Sequence, residues 1–233
     1  MQKIKFIVFS SLLLVFLNAL PRSWALGLDF IERTSFNKDG SGLFSLNLDL
    51  AKSKKLIKAI KYLNKDYENI TKSIGYNAFC GTKQVLKKIA GIDDVRIRHD
   101  ERMLTITLRF NFKSIQVLNK ALSKINQELD PMGITYFSLS DEIFIREDMH
   151  GIAKKLIHYH DHDNSLIKSL NLSYFFQHTT YTTIYTFDKE IKNASNPLSE
   201  ITKDKKTIRV VHQILSADEV EDSIRNRVHF VTH

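Results

Sequence analysis

Five apolar side chains in strict alternation constrain the fold of this 233-residue chain more than any other feature. From Leu104 to Phe112 every second residue is leucine, isoleucine or phenylalanine, with polar residues between them. A period of two predicts a β-strand with one face on a core and the other in water. A slip of one residue would turn the whole apolar set towards solvent, so the register is strongly fixed. The apolar positions of residues 92–97 and the polar turn at 99–102 predict that this strand closes a hairpin.

A second hairpin is predicted at residues 34–51. Asp39 and Gly40 lie where a tight turn needs left-handed backbone conformations, and residues 46–50 alternate leucine with polar side chains. The turn also resembles part of a calcium loop, but counting through that loop places Leu46 where the bidentate glutamate should be. The stretch therefore predicts strand reversal and no calcium site.

The remaining periodic segments complete the predicted fold. Apolar residues at helical spacing predict helices at residues 53–67 and 82–90, the latter ended by Gly91, and a third helix that Ser114 caps. Further strands are predicted at residues 134–145 (a hairpin), 174–187, 207–215 and 224–231. We expect an α+β fold in which an antiparallel sheet built from hairpins packs against two or three amphipathic helices. Residues 26–233 would form a single domain, with an irregular segment at 146–173.

Residues 1–25 have the three parts of a secretory signal peptide. Lys3 and Lys5 precede an apolar run at residues 4–20, and Ser23-Trp24-Ala25 fits the small-x-small cleavage pattern. Cleavage after Ala25 would export the protein to the periplasm or outer envelope of a Gram-negative bacterium, with no transmembrane segment left. The alternative is an uncleaved anchor, because the run approaches the roughly 20 residues that span a bilayer.

Charge and cysteine content narrow the functional classes. Residues 1–25 carry three basic residues and no acid, so the net charge of +8 becomes +5 after cleavage. The lysines are spread along predicted helix faces instead of forming a clustered patch, which gives no support to nucleic-acid binding. Cys80 is the single cysteine, so no internal disulfide forms. We interpret it as a small apolar residue, while the alternative of a nucleophile would require a neighbouring histidine.

The segment at residues 158–163 is the strongest candidate for a metal site. His158, His160 and His162 share one face of an extended chain, and imidazole is the commonest side-chain ligand for transition metals. These donors would suit Zn, Cu or Ni. The competing interpretation is a solvated polar loop that binds no cofactor, because zinc sites usually recruit ligands from separate segments at recognisable spacing.

Tyr181, Tyr185 and Phe187 would share one face of the strand at 174–187. Such aromatics could line a groove for a lipid, glycan or peptide. The alternative, which we favour, is a core face under a helix. The chain has no Gly-x-Ser-x-Gly, P-loop or His-Glu-x-x-His motif, so none of these enzyme classes is supported and no catalytic residue is predicted.

The order of these motifs resembles exported and lipid-anchored proteins of Bacteroidota whose function is unknown. The resemblance rests on Asn-Lys-Asp-Gly-Ser-Gly at 37–42, Gly-Ile-Asp-Asp-Val-Arg-Ile at 91–97, Phe110-Asn-Phe112 and Leu118-Asn-Lys-Ala-Leu122. A closing pattern, with Tyr185-Thr-Phe187, residues 191–196 and residues 203–207, is similar to the mycobacterial LppM-like lipoprotein domain. Together these cover most of residues 28–215. The resemblance implies the fold and an exported location but no chemistry, and this chain lacks the acylated cysteine of the lipid-anchored members.

These observations predict an exported envelope protein that acts as a non-catalytic binding or structural module. Its partner would be an envelope protein, a polymer or a small apolar ligand. The alternative is an envelope metal-binding protein that uses His158, His160 and His162, and an enzyme of unrecognised type is the third hypothesis.

Overall fold

The computed structural model describes residues 27, 29–55, 57–58, 77–125, 135–147, 179–213 and 224–232. Within these ranges the chain forms eleven strands and two α-helices, with a 3-10 turn at Ala51–Ser53. The helices are α1 (Asn77–Leu86) and α2 (Ile115–Ile125). The strands are β1 (Asp29–Phe36), β2 (Gly42–Asp49), β3 (Ile92–Asp100), β4 (Thr105–Phe112), β5 (Phe137–Leu139), β6 (Ile143–Arg146), β7 (Thr180–Phe187), β8 (Ile191–Ala194), β9 (Glu200–Ile201), β10 (Thr207–Gln213) and β11 (Asn226–Phe230).

The strands form two sheets. The larger has seven strands in the order β3-β4-β2-β1-β7-β10-β9, and the smaller has four in the order β5-β6-β11-β8. The larger sheet is mixed, because β1 pairs in parallel with β7 while its other pairs are antiparallel. The three predicted hairpins are confirmed: β1 pairs with β2, β3 with β4 and β5 with β6. The alternating positions Ile106, Leu108, Phe110 and Phe112 are all buried, as their spacing predicted.

The two sheets pack face to face through aromatic rings. Phe144 of β6 lies 5.1 Å from the ring of Phe36 on β1 and 5.1 Å from that of Tyr185 on β7. Phe187 at the end of β7 packs edge-to-face against Phe230 of β11, with the ring centres 5.0 Å apart. Ring pairs at such distances add to the stability that their burial already provides. The aromatic interface therefore joins the central strands of the large sheet to the small one.

The expected fold class, an antiparallel sheet packed against two or three amphipathic helices, is wrong. The described residues are dominated by strands, the main sheet is mixed, and the aromatic face of β1 and β7 is covered by a second sheet. The physical reason is that β11 pairs with both β6 and β8 across long sequence separations. Local periodicity identified β6 and β11 but not the short β8 and β9, and it carries no record of distant partners.

The two described helices lie beside the hairpin β3–β4 and strand β5. Helix α2 begins as predicted, with the amide of Val117 donating to Ser114 Oγ at 3.3 Å, and Asn119 binds the backbone of Phe137. Helix α1 runs from Asn77 to Leu86, so it begins five residues and ends four residues before the predicted bounds. Gly91, at φ 90°, lies in the turn beyond the helix and does not end it. Among the described residues, no helix is both long and apolar enough to cross a membrane. The predicted signal peptide at 1–25 lies outside the described residues. Most of the segment at 146–173 also lies outside them.

Candidate functional site

A cleft of about 360 Å³ opens where three turns meet at one end of the two sheets. The turns join β1 to β2, β5 to β6, and β7 to β8. Its floor is apolar and its rim is polar. The floor is formed by Phe36, Ile115, Leu139, Phe187 and Phe230, and the rim by Asn37, Lys38, Asp39, Gly40, Ser140, Asp141, Asp188 and Lys189.

The turn between β1 and β2 is held by its own side chains. Asn37 N donates to Ser41 O at 2.8 Å, and the hydroxyl of Ser41 donates to Asp39 Oδ1 at 2.6 Å. The hydrogen bond from that hydroxyl, followed by the one from the Ser41 amide, lowers the pKa of the Asp39 carboxyl. Gly40 adopts φ 77°, a conformation that glycine reaches without steric cost. The sequence prediction of a turn is confirmed here.

Two contacts tie the rim together. The backbone amide of Lys38 donates to Asp188 Oδ2 at 3.1 Å, which joins the first turn to the third. The ammonium of Lys189 donates to the carboxylate of Asp141 and also to its carbonyl oxygen at 3.1 Å, which joins the third turn to the second. This pairing lowers the pKa of the Asp141 carboxyl. The three turns thus form a connected rim around the apolar floor.

The arrangement can bind an apolar group and orient polar atoms beside it. The half-buried Ile115 and Leu139 offer apolar contact above the buried phenylalanines, and Lys189 Nζ lies 6.0 Å from the centre of the Phe230 ring. Pockets of about 300–1,000 Å³ with apolar walls and a few placed polar groups are the usual form of small-molecule sites.

Beneath the cleft lies a buried charged cluster of Glu32, Arg146, Tyr181 and Tyr185. Arg146 Nη2 donates to Glu32 Oε2 at 3.0 Å, and Tyr181 Oη donates to the same oxygen at 2.6 Å. Tyr185 Oη donates to Glu32 Oε1 at 2.6 Å and accepts from Arg146 Nε at 3.0 Å. The guanidinium carbon also lies 4.6 Å from the centre of the Phe137 ring. Glu32 and Arg146 are both 0 % exposed.

The electrostatics of this cluster follow from burial and pairing. Burial by itself would lower the pKa of Arg146, but the charge of Glu32 and the two tyrosine hydroxyls outweigh it and raise that pKa. Burial, with the Glu32 carboxylate next in effect, raises the pKa of Tyr181 and of Tyr185 well above its ordinary value. The cluster therefore holds a charged pair and two neutral phenols.

The cluster also links the two sheets. Glu32 lies on β1 and the tyrosines on β7, both in the large sheet, whereas Arg146 ends β6 in the small sheet. Arg146 additionally donates from Nη1 to the carbonyl of Glu147 at 3.1 Å. Each nitrogen and oxygen of the two charged groups has a hydrogen-bond partner, so the pair bridges the sheets without leaving a buried charge unmatched.

The predicted aromatic face is real, and it serves two roles. Tyr181, Tyr185 and Phe187 share one buried face of β7, as expected. The tyrosines belong to the charged cluster, and Phe187 lines the cleft. The described cover over Tyr185 and Phe187 includes a second sheet, so the expectation of a helix over this face was wrong in that respect.

The three predicted metal ligands cannot be placed relative to this site. His158, His160 and His162 lie outside the described residues, so the metal site stays a prediction. Within the described ranges, no group of three or more histidine, cysteine or acidic side chains could hold a metal ion. Cys80 is half-buried on α1 next to the buried Phe79.

Sequence reasoning missed Glu32 and Arg146. Both carried a signal, because each occupies the apolar phase of its strand: Glu32 is in phase with Phe30 and Phe36, and Arg146 with Phe144. A charge at a core position of an alternating strand indicates a buried partner. The sequence could have identified the two positions but not that they meet.

Comparison with known protein-family models gave no match. Comparison with curated proteins gave none either. Among solved structures, the chain is similar to the NMR structure of the folded domain of the LppM protein from Mycobacterium tuberculosis, with a TM-score of 0.39 and 7 % sequence identity. The match covers 88 % of this chain and 91 % of that one. The resemblance to Bacteroidota proteins and the closing pattern at residues 185–207 stay predictions.

Proposed function

We propose that this chain is a non-catalytic binding module of the cell envelope, and that its cleft holds the apolar part of a small ligand. The observation that carries the proposal is an apolar floor of three buried phenylalanines and two aliphatic side chains, enclosed by three turns that bind one another. This arrangement offers contact area in a preformed shape.

A preformed cleft matters because the entropic cost of ordering loops opposes ligand binding. Each side chain immobilised on binding costs about 0.5–1.5 kcal/mol. Here the side chains of Asp188, Asp141 and Lys189 are already engaged across the rim. Binding therefore requires little further ordering of these three. The three phenylalanines are only 3–4 % exposed, so the apolar surface left for a ligand to bury lies mainly on the half-buried Ile115 and Leu139.

A neutral fluorescent probe tests the cleft. Leu139 is a partly buried floor residue, whereas Leu198 is 41 % exposed and does not line the cleft. Leu139→Lys places a charge at the floor, and Leu198→Lys places the same charge elsewhere. We expect N-phenyl-1-naphthylamine to bind wild type and Leu198→Lys equally, and Leu139→Lys about tenfold more weakly, from the cost of burying an ion.

Circular dichroism and a thermal melt establish that both variants are folded. Equal probe binding by Leu139→Lys and wild type would refute the cleft as the binding site. The same would follow if wild-type protein did not enhance the fluorescence of the probe.

We also propose export to the periplasm or outer envelope of a Gram-negative host, supported by the pattern of residues 1–25. The test is cell fractionation with N-terminal sequencing of the recovered protein. Cleavage predicts a new N-terminus at Leu26. A protein that starts at Met1 and stays with the membrane would support the anchor instead, and recovery from the cytoplasm would refute export.

A further inference from the structure

The hairpin tip between β3 and β4 lies at the end of the large sheet opposite to the cleft. Gly42, next to the cleft turn, pairs with Phe112, while Asp49 at the far end of β2 pairs with Thr105, next to the tip. Met103 in this tip is 63 % exposed, more than the other exposed large hydrophobic residues of the described chain.

The tip has a fixed conformation. Asp100 Oδ1 accepts from the backbone amides of Arg102 and Met103, both at 3.0 Å. Leu104 adopts φ 56° and is buried, and its carbonyl accepts from Leu50 N at 3.0 Å. The amide of Met103, followed by that of Arg102 and by the charges of Arg98 and Arg102, lowers the pKa of Asp100. The chain therefore buries Leu104 and presents Met103 to solvent.

Basic side chains lie in the hairpin that carries the exposed methionine and in the segment that begins next to it. The side chain of Arg98 is 82 % exposed, Arg102 is exposed beside Met103, and the lysine-rich segment begins where Leu50 meets Leu104. The described residues at this end include six basic side chains and four acidic ones. The basic residues are Lys52, Lys54, Lys55, Lys58, Arg98 and Arg102, and the acidic residues are Asp29, Asp49, Asp100 and Glu101.

Each of the four acids has a partner within the protein. Asp29 accepts from Lys52 and from Thr180, and Asp49 accepts from the amide of Ala51. Asp100 holds the tip and lies 3.9 Å from Arg98 Nη2, and Glu101 Oε1 lies 4.0 Å from His99 Nδ1. Because each ion pair removes one charge of either sign, the ten side chains keep the net charge of +2 that their composition gives.

We propose that this end of the molecule docks on an anionic membrane surface, with Met103 entering the interface and the arginines and lysines meeting lipid headgroups. Basic residues near an anionic bilayer are attracted to it, and an apolar side chain at their centre adds a contact with the acyl boundary. An anionic polymer would use the charges and leave the methionine without a role. The membrane therefore accounts for both features.

Vesicle sedimentation tests the proposal with protein expressed from the full sequence. Vesicles of phosphatidylglycerol mixed with phosphatidylcholine are compared with vesicles of phosphatidylcholine alone. Arg102→Glu and Met103→Ser change the tip, and the exposed residues Arg227 and Leu198 provide the matched controls Arg227→Glu and Leu198→Ser. The variants share residues 1–25, so any contribution of that segment is common to all.

We expect the partition coefficient on anionic vesicles to fall about 10- to 30-fold for Arg102→Glu, from two charge units of attraction, and several-fold for Met103→Ser. The two controls should bind like wild type. Equal binding of wild type to both vesicle types, or unchanged binding by both tip variants, would overturn the proposal. If Arg102→Glu weakened vesicle binding and Met103→Ser left it unchanged, the proposal would also be overturned, because a purely electrostatic surface suits an anionic polymer.

Discussion

At the scale of single residues, the ion pair of Glu32 and Arg146 is the most unusual feature of the core. Both side chains are fully buried, and Glu32 belongs to the large sheet whereas Arg146 belongs to the small one. Transferring two charges from water is costly, so the pair is retained only if its hydrogen bonds are complete. Tyr181 and Tyr185 contribute two of them, because their hydroxyls donate to Oε2 and Oε1 of Glu32.

Removing one partner should destabilise the protein strongly. We expect Arg146→Met to lower the free energy of unfolding by about 3–5 kcal/mol, because Glu32 is left as an uncompensated buried charge. Arg209 forms an exposed ion pair with Glu200, so Arg209→Met should cost about 0–1 kcal/mol. Urea unfolding followed by circular dichroism measures both values. A similar decrease in the free energy of unfolding of the two variants would show that the buried ion pair contributes no more to stability than the exposed one.

The tyrosines of the cluster predict a loss of stability at alkaline pH. In the unfolded chain they ionise near pH 10, whereas in the folded protein their raised pKa values keep them protonated. The folded state then binds more protons, so the free energy of unfolding falls by about 1.4 kcal/mol per pH unit and per tyrosine above that pH. Below about pH 10 their contribution is fully present.

The comparison of wild type with Tyr185→Phe isolates this effect. Loss of the hydroxyl bound to Glu32 and Arg146 lowers the free energy of unfolding at every pH, whereas the difference in slope with pH reports the titration of Tyr185. We expect the slope of the variant above about pH 10 to be shallower by about 1.4 kcal/mol per pH unit. Identical slopes, from urea unfolding between about pH 8.5 and 11.5, would contradict the assigned hydroxyl environment.

At the scale of elements, the hairpin β1–β2 depends on a glycine in its second strand. A Cβ at Gly42 would lie 2.0 Å from the carbonyl oxygen of Ser35 and 2.6 Å from Cζ of Phe112. The strand pair and the adjacent aromatic core thus require the absence of a side chain there. Since this hairpin also forms one wall of the cleft, its register matters for the proposed site.

Alanine at Gly42 should therefore destabilise the protein, by about 2–3 kcal/mol or more if the strands must separate. Gly81 on α1 is the matched control, because a Cβ there meets nothing within 4 Å. Gly81→Ala should raise stability by about 0.5–1 kcal/mol through helix propensity. Thermal melts of the two variants measure this difference, and a neutral Gly42→Ala would disprove the close approach.

The histidine segment at 158–163 gives a further prediction at this scale. If His158, His160 and His162 bind a transition metal, equilibrium dialysis should detect Zn, Cu or Ni on wild-type protein and a weaker uptake on the triple alanine variant. His229, an exposed histidine on β11, provides the control His229→Ala. Equal uptake by the triple variant and wild type would eliminate the metal hypothesis.

At the scale of the whole molecule, the sequence predicted what is local and missed what is distant. The alternation before Phe112 predicted a buried strand face and a hairpin, because the partner strand lies a few residues away. The parallel pairing of β1 with β7 joins Phe30 to Tyr181, and no local pattern records a partner that far along the chain. The same holds for the site, since Glu32 and Arg146 are separated by 114 residues.

The pairing of β2 with β4 sets the distance between the two proposed surfaces. Both strands run eight residues from the turn at the cleft to the tip at Met103, a span of about 24 Å at the usual rise per residue. If the tip rests on a bilayer, the cleft stands beyond the headgroups and opens into the aqueous phase. A ligand would then arrive by diffusion through water, and extraction of a lipid from that same bilayer would lie beyond the reach of the cleft.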